Sequence, residues 1–125
     1  MTENEVVNRR KLGKQAEQFA AEHLEASGYR VIARNWRCPR GELDLICEKD
    51  GCIIFVEVRS RRLTGTYGTP EESVNARKQR QVRDTARYYL YAAGLLDRCS
   101  RFDAFTVMFD RAGVVRDWNH LPDAF

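Results

Sequence analysis

Leu12, Ala16, Phe19, Ala20, His23 and Leu24 recur at three- and four-residue intervals, which predicts an amphipathic helix over residues 10–27. Ser27-Gly28 predicts its end, with Gly28 in the left-handed conformation that closes helices. From Tyr29 to Trp36 the period drops to two: Tyr29, Val31 and Ala33 alternate with Arg30 and Arg34, as in a strand. Cys38-Pro39-Arg40-Gly41 predicts a loop. Residues 42–48 and 52–59 read as two more strands, and the second is apolar on both faces, as a central strand is. A glycine-containing loop over 63–69 follows, with Thr69-Pro70-Glu71-Glu72 as a capping box for a short helical turn. Asn75 is a second N-cap, for a long helix over 76–93 with the stripe Val82, Ala86, Tyr89, Leu90 and Ala93, stopped by Gly94. Residues 101–109 and 114–118 alternate as strands around the turn Asp110–Gly113. The order is α-β-β-β-α-β-β. Hairpins give antiparallel pairs, and the long helix permits a parallel crossover. The fold class is α/β: a mixed central sheet of about five strands flanked by helices, in one domain spanning 1–125.

The hairpin fixes a register. With Asp50-Gly51 as the two loop residues of a type I′ turn, Lys49 pairs with Cys52. Continued inward, Ile46 opposes Phe55, Asp44 opposes Glu57 and Glu42 opposes Arg59, all on one face. Two carboxylates face to face repel. Such a pair next to apolar neighbours has either a cation to hold, for which oxygen ligands favour Mg²⁺ or Mn²⁺, or a bond from one of its acids to an arginine of a neighbouring element, and the register with its apolar flanks favours the cation. Arg59, two residues after Glu57, shares its face and can hold a phosphate or stabilise charge building on it, but stays protonated and is a poor base. The alternative for Arg59 is an ion pair with Glu42. Glu17, at the edge of the first helix's apolar face, can add a third carboxylate. Lys78 lies on the core-facing stripe near the start of the long helix, where anions bind well.

Composition narrows the partners. The formal net charge is only +3, yet eight basic residues stand between Arg59 and Arg87 against three acidic ones, and 17 of the 21 basic residues are Arg. Arginine grips phosphate bidentately, so Arg61, Arg62, Arg77, Arg80 and Arg83 are candidates for holding a nucleic-acid backbone. No apolar run is long enough for a membrane span, and Met1–Lys14 lacks the apolar core of a secretory signal. Cys38, Cys47, Cys52 and Cys99 form no C-x-x-C, which predicts four reduced thiols in a cytoplasmic protein. His23 and His120 have no evident partners, Gly65 and Gly68 make no phosphate loop, and Asp103 reads as structural. Trp36 and Trp118 read as core residues.

The pattern of an acid on the first helix, then Gly41-Glu42-Leu43-Asp44-Leu45-Ile46, then Phe55-Val56-Glu57-Val58-Arg59-Ser60-Arg61, resembles the restriction-endonuclease-like superfamily with its PD-(D/E)xK signature. More closely the chain resembles the bacterial YraN-like family of predicted nucleases, through Gly13, Glu17, Gly68-Thr69-Pro70, Lys78, Arg101-Phe102-Asp103 and Asp123-Ala124-Phe125 besides those strands. The resemblance implies a Mg²⁺-dependent (or Mn²⁺-dependent) endonuclease acting on DNA, including branched or junction DNA. Asp44, Glu57 and the Val58 carbonyl would be metal ligands, with Glu17 completing the acidic cluster. Arg59 stands where the superfamily has lysine, so either Lys78 would supply the missing amine or the metal alone would activate the water. Leu43 replaces the proline that often precedes the Asp. These departures leave a second reading, a non-catalytic nucleic-acid-binding module on a degenerate nuclease fold. Many nucleases of the superfamily dimerise, so the resemblance also allows a homodimer.

Overall fold

The computed structural model describes the backbone of residues 2–62 and 74–125, and side chains from residue 10 onward within those ranges. The elements are α1 (Thr2–Ala26), β1 (Arg30–Cys38), β2 (Gly41–Lys49), β3 (Cys52–Arg62), α2 (Ala76–Ala92), β4 (Ser100–Phe109) and β5 (Val115–Leu121). This is the expected α-β-β-β-α-β-β order. The glycine loop and the capping box over 69–72 lie outside the described residues. The five strands form one mixed sheet in the order β1-β2-β3-β4-β5. The β3–β4 pair is parallel and the other three pairs are antiparallel. No helix among the described residues is long and apolar enough to cross a membrane.

The helices cover opposite faces. On one, Leu12, Ala16, Ala20, Ala21 and Leu24 of α1 pack on Leu45, Cys47, Ile54, Val56, Phe105, Val107 and Phe109. On the other, Val82, Ala86 and Leu90 of α2 pack on Leu43, Ile46, Ile53 and Phe55. A strand buried on both faces must be apolar at every position, which is why β3 reads as a continuous run. α1 begins at Thr2, well before residue 10, because its first turns carry no apolar period for the pattern to register. Ala93, expected in the stripe of α2, is an exposed cap residue. Gly94 at φ +71° turns the chain there, and the Leu95 N–H reaches back to the Leu90 carbonyl at 2.7 Å.

Two features lock α2 and β3 in place. Gly41 has φ +152°, and a Cβ built there would stand 2.8 Å from Thr85 Oγ1, a hydroxyl on the fully buried face of α2. The β1–β2 turn therefore rides directly on the helix. Gly41→Ala is expected to cost about 1–3 kcal/mol by overpacking, read as a lowered denaturant midpoint; an unchanged midpoint would show that the turn and helix are not in contact. At the start of β3, Cys52 is joined to Cys99, immediately before β4, as a disulfide with a Cα–Cα distance of 4.6 Å. This corrects the expectation of four reduced thiols. The partners are 47 residues apart, so spacing gives no hint of them, and only the parallel β3–β4 pairing brings them together. Cys38 and Cys47 are free, and burial pushes the Cys47 thiol up to about 12. Reductant or Cys99→Ser is expected to lower stability by about 2–4 kcal/mol. Identical unfolding midpoints with and without reductant would show that the two sulfurs are not bonded in solution.

Candidate active site

The β2–β3 hairpin has the expected register. Asp50 and Gly51 take φ +53° and +79°, as a type I′ turn requires, and Lys49↔Cys52, Ile46↔Phe55 and Leu45↔Val56 pair. The ladder then stops, one step short of Asp44 and Glu57. The two-residue alternation of β2 fails at the same place. Leu43 lies in the α2-side core and Leu45 in the α1-side core, although they are two positions apart. Because the strands part here, the Val58 N–H is bound by the Asp44 carboxylate, Oδ2 at 2.9 Å, in place of a backbone carbonyl. The acid is thereby pinned to the peptide that follows Glu57. Glu42 does not face Arg59 as the extended register predicted. It pairs instead with Arg37 on β1, 3.2 Å away.

Glu57 is only 3% exposed, in a strand otherwise apolar from Ile53 to Val56. Desolvation first, and the charge of Asp44 second, push its carboxyl up to about 8, against the pull of Lys78 and Arg59. The half-buried Asp44 is pushed up to about 6, again by desolvation first. The Val58 N–H and Lys78 oppose that rise, while Glu17 and Glu42 add to it. Lys78 Nζ is 3.8 Å from Glu57 Oε1. Asn75 caps α2 by accepting from the Lys78 N–H at 2.9 Å, which sets Lys78 in the first turn above the acid. Glu57 Oε2 is buried with no hydrogen-bond partner among the described residues. A bare, desolvated carboxylate oxygen beside a second carboxylate is a donor set that fits a hard divalent cation.

Glu17 is half-buried on α1 and acts on Asp44 through its charge. Among the described residues no three of His, Cys, Asp and Glu stand close enough to hold a metal together. The structure therefore brings Asp44, Glu57, Val58 and Lys78 together and leaves Glu17 outside the direct cluster. Arg59 is half-buried on β3, where it pairs with Thr106 of β4.

A family model described as "Uncharacterised protein family UPF0102" matches residues 16–107, from α1 through most of β4. The chain belongs to the UPF0102 family. A UPF0102 protein of Moorella thermoacetica is 46% identical over 119 residues, covering 95% of this chain and 98% of its own. One from Myxococcus xanthus is 45% identical over 119 residues, 94% of this chain and 90% of its own. One from Pelotomaculum thermopropionicum is 42% identical over 118 residues, covering 94% and 97%.

The remaining candidates of this UPF0102 chain fall on two surfaces. Arg61, Arg77, Arg80 and Arg83 are exposed, Arg83 lying over the Phe102 ring at 4.7 Å, while Arg62 is half-buried at the end of β3. Away from them, Asp103 forms a buried hub. It accepts from Arg101 Nε and Nη2 at 2.8 and 2.9 Å, from the Asp123 N–H at 2.9 Å, and from His120 Nε2 at 2.8 Å. Burial works to raise its pKa, but these donors, His120 foremost, hold it at about 2. His120 therefore has a partner that the sequence did not show. A carboxylate only accepts, so the proton sits on Nε2. Arg101 Nη2 also reaches the Tyr29 hydroxyl at 2.9 Å, so the hub ties the start of β1 to the C-terminal residues. This accounts for Asp103 as structural. His23 lies between Phe19 and Trp118, ring centroids 4.3 and 4.4 Å away and tilted to both. Trp36 packs against the α2-side core, but Trp118, expected inside, is 43% exposed and lies flat on Phe105.

Proposed function

We propose that the protein is a metal-dependent nuclease that hydrolyses phosphodiester bonds in DNA, with Asp44 and Glu57 as its metal ligands. The observation that carries this reading is the pair itself: two carboxyls both raised first by burial, Glu57 also by the charge of Asp44, with Glu57 Oε2 left bare. Nothing in the packing of the strand requires an acid at residue 57, since its apolar neighbours bury well without one. A divalent ion between them would supply the Lewis acidity that makes water a nucleophile near neutral pH. The chain's own groups do the rest. Val58 N–H holds Asp44 in its rotamer. Lys78 and Arg59 place two positive charges beside the acids, where a phosphate's non-bridging oxygens would sit as charge builds on them. The Val58 carbonyl and Glu17 are the further ligands that the resemblance implies. Arg61, Arg62, Arg77, Arg80 and Arg83 would hold the backbone without reading bases, giving steeply salt-dependent binding.

A second reading, a nucleic-acid-binding module without catalysis, is favoured by Arg59 in the lysine position and by the distance of Glu17 from the pair. The test is cleavage of labelled single-stranded, duplex, flap and four-way-junction DNA in Mg²⁺ and Mn²⁺. Metal-dependent cutting supports the nuclease. Salt-sensitive binding of the same DNA with no cutting in either metal would establish the module instead.

A further inference from the structure

A cavity of about 180 Å³ lies between residues 11–15 of α1, the end of β3 and the β4–β5 turn. Its polar lining is Lys11, Gln15, Arg62 and Arg111, and among the described residues no carboxylate lines it. Three cations around one small space repel each other, and none makes an ion pair among the described residues. The acid next to Arg111 is already engaged. Asp110 accepts from the Ala112 and Val114 N–H groups and from Arg116 Nε, each at 2.9 Å. An independent observation points to an anion. Arg62 Nε is buried and has no hydrogen-bond partner among the described residues. A buried N–H left bare costs about 1–3 kcal/mol, more when charged, unless something accepts from it. The volume is below the roughly 300 Å³ at which pockets begin to take whole small molecules, and so fits a single tetrahedral oxyanion.

We propose that this cavity is a phosphate-binding pocket, in which Arg62 Nε, Lys11, Arg111 and the Gln15 amide hold one phosphate group. β3 carries both Glu57 and Arg62, five residues apart, and side chains alternate along a strand, so Glu57 lies on the α2 side of the sheet beside Lys78 and Arg62 on the α1 side beside Lys11 and Gln15. The pocket is therefore separate from the acidic pair and stands independently of the nuclease reading. Its phosphate is either a nucleic-acid backbone group or a free or small-molecule phosphate, the same chemistry from two sources.

The experiment has two arms. In the first, inorganic phosphate is titrated into the full chain and followed by amide and arginine-side-chain NMR. Saturable shifts at Gly113 and Arg62 are expected, weakened at least tenfold in Lys11→Gln/Arg111→Gln, whose two positions are exposed, and unchanged in Asp44→Ala. No saturable shift, or equal affinity in the double variant, overturns the pocket. In the second arm, duplex binding is measured against salt. A log–log slope lowered by about 0.9 in the double variant identifies the ligand as a backbone phosphate. An unchanged slope beside lost phosphate binding identifies it as a free phosphate or a small phosphorylated molecule.

Discussion

Asp44→Ala is expected to lower metal-dependent cleavage by about a hundred- to a thousandfold or to abolish it, the scale on which removing one group that stabilises the transition state acts. Loss of the fold would not explain it. The substitution removes the acceptor of the Val58 N–H, worth about 1 kcal/mol. It also removes a charge that pushes Glu57 toward protonation, and the desolvation cost of a second buried carboxyl. These effects oppose each other, so the melting temperature near neutral pH is expected to stay within a few degrees of the parent. DNA binding is expected to persist, because the exposed arginines of β3 and α2 are untouched. Full cleavage by Asp44→Ala would sink the site assignment. Cleavage lost together with a collapsed melting temperature would mean that Asp44 is needed for folding.

The hairpin was legible because local chemistry determines it: Asp-Gly demands one turn geometry, and that geometry fixes every pair out to Leu45↔Val56. Extrapolating one step further brought Asp44 and Glu57 together correctly, but for a different structural reason. The strands do not continue as a ladder; they separate, and the Asp44 side chain takes over a backbone bond. Alternation cannot show such a break, since Leu43 and Leu45 look equivalent in the sequence and end in opposite cores. The same break undid the predicted Glu42–Arg59 pair. The helix stripes were legible from period except for Ala93 at the end of α2, and Lys78 was legible because capping by Asn75 fixes which residue occupies the first turn of α2.

What the sequence hid depends on contacts between distant segments. His120 finds Asp103, and Cys52 finds Cys99, only after β4 has been laid parallel to β3 and β5 folded back on it. The anion pocket is assembled from three segments, each of which alone looks like a solvated basic surface. Arg62 was singled out for its charge. Its buried, unpartnered Nε, which gives that charge a definite task, is a property of the packed chain.

The protein freed of metal is expected to lose stability as pH rises from about 5 to about 9. In the fold, Glu57 is raised to about 8 and Asp44 to about 6, from ordinary values of 4.5 and 3.8. The unfolded chain therefore gives up these protons earlier than the native one. The stability these two groups contribute is full below about pH 4 and falls as pH climbs through the native values. At about 1.4 kcal/mol per unit, the loss is on the order of 5–8 kcal/mol, or roughly 20–30 °C in melting temperature. A cation that binds the ionised pair reverses the trend. Mg²⁺ or Mn²⁺ is expected to stabilise the protein more at pH 8 than at pH 6, and calorimetry near pH 7 in buffers of different ionisation enthalpy should show protons released on binding. Glu57→Gln is expected to flatten the metal-free profile and to abolish most of the metal's effect. A metal-free stability that is level from pH 5 to pH 9, and the same in Glu57→Gln, would show that the two acids are solvated and paired like ordinary surface carboxylates, and the argument for a cation between them would fail with it.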